Sequence, residues 1–287
     1  MARRSSALVL MLILLIALAS GCTSNTSSKA ASQSTSSTTS PATAIKAKEY
    51  SFSELLKGLM KVERFTYSEN ASFEMTVHAK VGNQDYNENA TITYKKTGYI
   101  DLKNREAYIN TTTITFPGGT KVFLSEIIKG DEVYLFINGR WIKLPVNNSS
   151  LMNSSKMVNM TWEYNPVSIA VKYLKKKPAK VKYVNGTEVL VFNVTTEDLR
   201  EMASSFLGPG TNATLNVTHG VMELLFRNGR YIGGRMAYRI EIRLTTIEPT
   251  GNAVSVYESG YVYDEFVIRD INVKKPIPTP SSENVNA

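Results

Sequence analysis

Residues 71–81 read ASFEMTVHAKV, and their pattern is the strongest indication of the fold. Phe73, Met75 and Val77 alternate with polar or charged residues at the even positions. Strict alternation is the period of a β-strand that buries one face and exposes the other. Such a strand needs a covering layer, so the sequence predicts an antiparallel sheet with one face packed against other elements.

The chain on either side continues this pattern as a meander up to Leu144. Tight-turn signals such as Asn138-Gly139 separate the apolar runs, and short connections join antiparallel neighbours. Strands are predicted over Ala90–Tyr94, Tyr99–Leu102, Ala107–Phe116, Val122–Ile128, Val133–Ile137 and Trp141–Leu144. Later strands are predicted over Lys180–Val184, Glu188–Val194, Ala213–Phe226, Tyr231–Thr246 and Ala253–Ile268.

Helical periodicity is confined to a few segments. The first follows a capping box at Ser51 and Glu54 and is expected to end near Phe65. Its apolar residues recur at helical spacing and should share one face: Phe52, Leu55, Leu56, Leu59 and Met60. Further helices are predicted over Asn148–Met160, Val167–Leu174 and Glu197–Leu207. These helices are the elements available to cover the sheet.

A second signal is the density of Asn-X-Ser/Thr sequons. Twelve of the 22 asparagines begin one, whereas about four would be expected by chance from the Ser and Thr content. The two at Asn147 and Asn148 overlap. The candidate glycosylation sites are Asn25, Asn70, Asn89, Asn110, Asn148, Asn153, Asn159, Asn185, Asn193, Asn212 and Asn216. The excess indicates a glycosylated surface protein and favours an archaeal cell surface.

The sequons also test the strand register. In a strand, Asn and the Ser or Thr two residues later point to the same side. Asn70 is in phase with the polar Glu74, whereas Asn89 is out of phase with the apolar Ile92. The sequon at Asn216 is likewise out of phase with its apolar neighbours. Because a sugar cannot be buried, these sequons mark the solvated face of the sheet.

The N-terminus reads as an export signal with a lipid attachment site. Residues 1–21 contain a short basic region and the apolar run Ala7–Ala19, which is shorter than the about 20 residues needed to span a bilayer. Small residues then precede Cys22, the single cysteine, as in a lipoprotein lipobox. The alternatives are an ordinary secretory signal with an incidental cysteine, or an uncleaved anchor.

A Ser/Thr-rich segment separates this region from the rest of the chain. Residues 22–47 contain almost no large apolar side chain and are expected to form a flexible, lipid-anchored tether. A β-rich domain is predicted over residues 48–275, followed by a flexible tail over residues 276–287. The protein is therefore expected on the outer face of the cell membrane, held there by its lipid.

No catalytic or cofactor-binding pattern occurs in the chain. The two histidines are His78, on the polar side of a predicted strand, and His219, next to a glycine where a bulge or turn is expected. No metal-ligand spacing, nucleophile elbow or phosphate-binding loop is present. We expect no enzyme activity, no metal, no cofactor and no nucleic-acid partner.

The order of elements resembles the LolA/LppX-type lipoprotein family. The resemblance covers about Ser51–Ile268 and includes the hairpin from Glu132-Val133-Tyr134 to Trp141-Ile142-Lys143. It implies an α+β fold in which an open antiparallel half-barrel wraps around a few helices and encloses a cavity for acyl chains. The candidate cavity residues are Phe73, Met75, Val77, Leu55 and Leu59. The alternative is a cell-surface interaction or structural glycoprotein that binds no small molecule, with its docking patch on the sequon-poor C-terminal strands.

Overall fold

The computed structural model of this 287-residue protein describes residues 50–81, 83–137, 139–145, 154–204, 212–247, 253–280 and 285–286. The expected signal sequence, Cys22 and the tether lie outside these ranges. So do Asn25, Asn147, Asn148 and Asn153, and the side chain of Asn212. Across the described ranges, no helix combines the length and apolar character that crossing a membrane requires.

The described residues form an α+β fold, with a large open antiparallel sheet and four short helices. The strands are β1 (Arg64–Val81), β2 (Gln84–Asp101), β3 (Glu106–Phe116), β4 (Thr120–Lys129), β5 (Glu132–Ile137), β6 (Arg140–Lys143), β7 (Lys180–Val184), β8 (Thr187–Val194), β9 (Asn212–Arg227), β10 (Arg230–Ile247), β11 (Ala253–Arg269) and β12 (Val285–Asn286). The helices are α1 (Phe52–Leu59), α2 (Ser154–Glu163), α3 (Pro166–Leu174) and α4 (Thr196–Ser204). The predicted half-barrel class is confirmed.

The sheet is assembled from two meanders that meet in the middle. Its order is β12-β6-β5-β4-β3-β2-β1-β11-β10-β9-β8-β7. The first and last long strands, β1 and β11, pair antiparallel from Thr66↔Arg269 to Val81↔Val254. The short β12 pairs parallel with β6, and the Lys129 ammonium donates to Thr279, so the tail predicted to be flexible contacts the sheet at two points.

Local sequence signals account for the helix starts. The predicted capping box is confirmed, because the Ser51 backbone N–H donates to Glu54 at 2.7 Å and the Glu54 N–H donates to the Ser51 hydroxyl at 3.3 Å. At α3, the Asn165 side-chain oxygen accepts from the backbone N–H groups of Val167 and Ser168, at 3.1 and 3.0 Å. A carboxylate or amide at this position satisfies N–H groups that have no partner within the helix.

The first helix is shorter than predicted. α1 ends at Leu59, and β1 begins at Arg64 rather than at Ala71. The Arg64 guanidinium pairs with Asp101 on β2 at 2.7 Å. Residues from Arg64 onward are therefore paired in the sheet and do not extend the helix. The apolar face is also narrower than expected, since Phe52 and Met60 are 41% and 68% exposed.

Some other predicted boundaries also differ. The runs predicted as separate strands over Ala90–Tyr94 and Tyr99–Leu102 form the single strand β2, because β1 pairs with it without interruption from Arg64 to Val81. Of the predicted helix Asn148–Met160, the described part begins at Ser154 and continues to Glu163. The described part of α4 ends at Ser204, and Leu207 lies outside the described ranges.

Candidate ligand-binding face

One side of the sheet, which we call the inner face, carries the predicted apolar residues. Phe73 on β1 pairs with Ile92 on β2 and with Val262 on β11, and all three side chains are buried. Met75 and Val77 follow on the same side, at 7% and 5% exposure. The alternation read from residues 71–81 is confirmed, since the intervening side chains point to the outer face and are half-buried or exposed.

The predicted cavity residues lie at two ends of this face. We call the end where β1 begins the proximal end and the β1–β2 turn the distal end. Leu55 and Leu59 are buried on α1, which contacts β10. A Cβ on Gly58 of α1 would lie 4.0 Å from the carbonyl oxygen of Gly229, in the β9–β10 turn at the proximal end. Val77 lies near the distal end.

The described helices are much shorter than the face they pack against. Strands β1, β2 and β10 each have 18 residues and are therefore about 59 Å long. The helices have 8 to 10 residues and are about 12–15 Å long. Their main strand contacts are α1 with β10, α2 with β5 and α4 with β9. The inner face thus offers more apolar length than these helices span.

Burial raises the pKa of four described carboxyl groups on the inner face, which were not predicted from the sequence. They are Glu69, Glu126, Glu258 and Asp264, and their placement follows from the strand registers. The strand alternation could have indicated two of them, because Glu69 lies two residues before the buried Ala71 and Asp264 lies two residues after the buried Val262. Acidic residues are almost never fully buried without a partner, so each needs a physical explanation.

Two of these carboxyl groups lie close to one cation. The Lys96 ammonium on β2 is 3.2 Å from a carboxylate oxygen of Glu69, and both side chains are buried or nearly so. Burial raises the pKa of Glu69, and Lys96 opposes the rise. Burial also raises the pKa of Glu126 to about 7, again partly offset by Lys96. These three side chains make this part of the inner face polar, and the Glu126 carboxyl group titrates near neutral pH.

The other two carboxyl groups have apolar strand neighbours. Asp264 is 0% exposed, and neither of its carboxyl oxygens has a hydrogen-bond partner among the described residues. Burial raises its pKa well above the usual range, with a further rise from Glu265. Glu258 is 4% exposed with one unpartnered oxygen, and burial raises its pKa to about 8.

The histidines lie away from the inner face. His78 is exposed on the outer face of β1, where its ring hydrogen-bonds Asn87 and stacks on Tyr257 at 6.0 Å. His219 has φ 53° beside a register shift between β9 and β10, which confirms the predicted bulge. Within the described part of the chain, no three His, Cys, Asp or Glu side chains are grouped so that they could hold a metal ion.

The described strand sequons share the outer face. Asn89, Asn193 and Asn216 are exposed, and Asn70 and Asn110 are half-buried. The Asn110 side-chain oxygen accepts a hydrogen bond from the Ser125 hydroxyl at 2.6 Å. Asn159 on α2 and Asn185 in the β7–β8 turn are also exposed. The predicted register of the sequons is confirmed, and no described strand sequon points to the inner face.

The sequon-poor C-terminal strands form a narrow strip on the outer face. β10 and β11 carry exposed or half-buried tyrosine and arginine side chains there, including Tyr261 at 48% exposure and an Arg243 guanidinium 5.3 Å from the Tyr257 ring centroid. Asn216 on β9 pairs with Glu241, and Asn70 on β1 pairs with Glu265, so sequons border both sides. The outer face of these two strands covers about 550 Å², which is less than the about 800 Å² that each partner buries in a stable protein interface.

Comparison with known proteins assigns no family. No family model matches the chain, and no curated protein matches it. Among solved structures, LprF from Mycobacterium bovis is 7% identical with a TM-score of 0.36, covering 80% of this chain and 94% of that one. Lipovitellin is 8% identical with a TM-score of 0.31, covering 76% of this chain and 26% of that one. A DUF1329 family protein from Desulfovibrio piger is 9% identical with a TM-score of 0.23, covering 78% of this chain and 93% of that one. These similarities are too weak to say which family the chain belongs to.

Proposed function

We propose that this protein binds a lipid or another hydrophobic ligand against the inner face of its half-barrel. The observation that carries the proposal is the length of the inner-face strands, about 59 Å against helices of about 12–15 Å. A long apolar surface flanked by short helices suits an extended acyl chain, because burial of apolar area drives binding without requiring a specific geometry. The resemblance to LolA/LppX-type lipoproteins agrees with this function.

The proposal places the domain close to a membrane. A lipid on Cys22 would anchor the chain, and the tether over residues 22–47 would allow a reach of about 25–30 Å. Sugars on the outer-face sequons would lie on the side of the sheet opposite to the inner face. In this proposal the protein is a non-enzymatic, extracytoplasmic glycoprotein of an archaeal cell surface, and its partners are the membrane and the hydrophobic ligand.

Organic extraction of the protein purified from its native membrane, followed by mass spectrometry, tests this function. The expected result is a hydrophobic compound in stoichiometric amount. Val77→Gln, on the inner face, should reduce the bound amount, whereas the neighbouring Thr76→Gln on the outer face should not. Folded protein without a bound compound, which also fails to bind added diphenylhexatriene, would contradict the proposal.

The alternative is a surface interaction protein without a small ligand. The exposed Tyr261 and the Arg243–Tyr257 pair favour it, because tyrosine and arginine are enriched at binding hot spots. The narrow, sequon-bordered strip argues against it. Glycopeptide analysis distinguishes the two: unoccupied sequons at both Asn70 and Asn216 would widen the strip and favour docking.

A further inference from the structure

Several polar groups of the inner face lie in one band that crosses the sheet, whereas Glu258 lies apart from it, beside Val77. The band contains Glu126 on β4, Lys96 and Tyr94 on β2, Glu69 on β1 and Asp264 on β11. Registers place Tyr94 and Asp264 on either side of Ala71, the smallest residue of their row. Strand spacing puts their Cα atoms about 10 Å apart.

The members of the band differ in how their hydrogen bonds are satisfied. Glu69 has Lys96 at 3.2 Å. Asp264 has no partner for either oxygen and Tyr94 has none for its hydroxyl, among the described residues. Both side chains are buried, at 0% and 3% exposure. Within the part of the chain that the structure describes, Glu126, at the β4 end of the band, also has one unpartnered oxygen, whereas Asp264 is the member with both carboxyl oxygens unpartnered.

The strand neighbours of Asp264 cannot satisfy it. Its register partners are Ala71 and Met236, and Val262 and Phe266 precede and follow it on the same face. All four are apolar, so none has a side chain that donates a strong hydrogen bond. A buried, unpartnered carboxyl group destabilises the fold, and replacement by an apolar side chain would remove that penalty. Burial raises its pKa well above the usual range, which agrees with this environment.

On β1, an apolar stretch of the inner face continues from the band toward the distal end, and the buried Glu258 of β11 lies beside Val77 within it. From Ala71 to Ala79 this stretch extends over eight residues, or about 26 Å. A ligand with its tail along this surface would bring its head group to Asp264 and Tyr94. A hydrocarbon would leave both groups unsatisfied, whereas a hydrogen-bond-donating head would satisfy them.

We infer that Asp264 and Tyr94 recognise the head group of an amphiphile, and that this head donates hydrogen bonds through hydroxyl or ammonium groups. The inference rests on the proposed function and adds the polarity of the ligand to it. Carboxylate heads are disfavoured, because the raised pKa of Asp264 favours a neutral carboxyl group, whose carbonyl oxygen needs a donor that an acceptor-only head cannot supply. Asp264 is thus a specificity-determining residue.

Displacement of diphenylhexatriene from the full-length protein by amphiphiles with the same saturated chain tests the inference. The probes are monopalmitoylglycerol, hexadecylamine and palmitate. The first two should compete about tenfold more strongly than palmitate at neutral pH. The stronger of the two identifies a hydroxyl or an ammonium head. Equal competition by all three would overturn the inference.

Two Asp264 variants and one control variant distinguish head-group recognition from a purely structural role of Asp264. Asp264→Leu should abolish the head-group preference and raise the thermal midpoint. Asp264→Asn, which keeps the shape, should retain monopalmitoylglycerol and weaken hexadecylamine. Met236→Leu, in the same row, should keep the wild-type preference. Preference retained by both Asp264 variants would overturn the inference, whereas a wild-type protein that binds no diphenylhexatriene would overturn the proposed function itself.

Discussion

Glu258→Gln should stabilise the protein at pH 8 and have little effect at pH 5. Glu258 lies on the inner face of β11 between Val77 and Ile242, its register partners on the two adjacent strands. Burial raises its pKa from 4.5 to about 8, so the folded protein holds this proton more tightly than the unfolded chain does. Glutamine has nearly the same shape and cannot ionise, so the substitution removes the proton linkage and little else.

The direction and size of this stability change follow from the linkage between proton binding and folding. A carboxyl group with a raised folded-state pKa destabilises the fold progressively as pH rises from the unfolded-state pKa to the folded-state pKa. The difference between 4.5 and about 8 corresponds to an upper bound of about 5 kcal/mol. Between pH 5 and pH 8 the Glu258 contribution should change by about 3 kcal/mol.

Scanning calorimetry of wild type and variant at pH 5 and pH 8 measures the effect. In a domain of this size, about 3 kcal/mol corresponds to a midpoint difference of about 6–12 °C at pH 8. Comparing variant with wild type cancels the other titrating groups. Glu74→Gln, the same substitution at an exposed outer-face position, is the control and should change stability by less than about 0.5 kcal/mol. A Glu258→Gln effect that is equal at the two pH values would contradict a raised pKa of Glu258 in the folded protein.

Three further predictions concern the anchor, the packing and the sugars. Cys22→Ser should release folded protein into the medium with an unchanged thermal midpoint; retention in the membrane fraction would instead show that the apolar N-terminal run is an uncleaved anchor. Gly234→Ala should destabilise the fold by about 1–3 kcal/mol in denaturant unfolding, because its Cβ would lie 2.6 Å from the Glu223 carbonyl oxygen and 2.8 Å from the Phe266 ring; an unchanged midpoint would contradict this packing. Glycopeptide analysis should find sugar on the exposed outer-face sequons of β2, β8 and β9, and fully unmodified peptides there would refute the glycoprotein prediction.

Several features of the fold were predictable because they are local. Residues 71–81 alternate with period two, and that period places Phe73 and Met75 on the buried side whatever strand pairs with them. The capping box at Ser51 and the Asn165 cap depend on groups within three residues. The sequon register followed from the same alternation, since a sugar requires solvent.

The misplaced boundaries have a tertiary cause. Residues 60–65 continue a weak helical pattern, yet Arg64 pairs with Asp101, and the Asn272 side chain accepts a hydrogen bond from the Glu63 N–H at 2.7 Å. These partners are distant in sequence. Residues 84–89 and 95–97 are too polar to indicate a strand, but the backbone of β1 pairs with them regardless of their side chains.

Local patterns in the chain were enough to show which side of each strand is apolar, where the early turns and helix starts fall, and that the outer face carries the sequons. Those properties depend on backbone periodicity and on contacts within a few residues. The pairing of β11 with β1, which brings Asp264 next to Ala71 and across it from Tyr94, depends on the tertiary structure. From sequence alone, an acidic residue at a strand position in phase with apolar residues is taken for a surface residue. Its burial and its lack of a hydrogen-bond partner become visible only once the strands are assembled into the sheet.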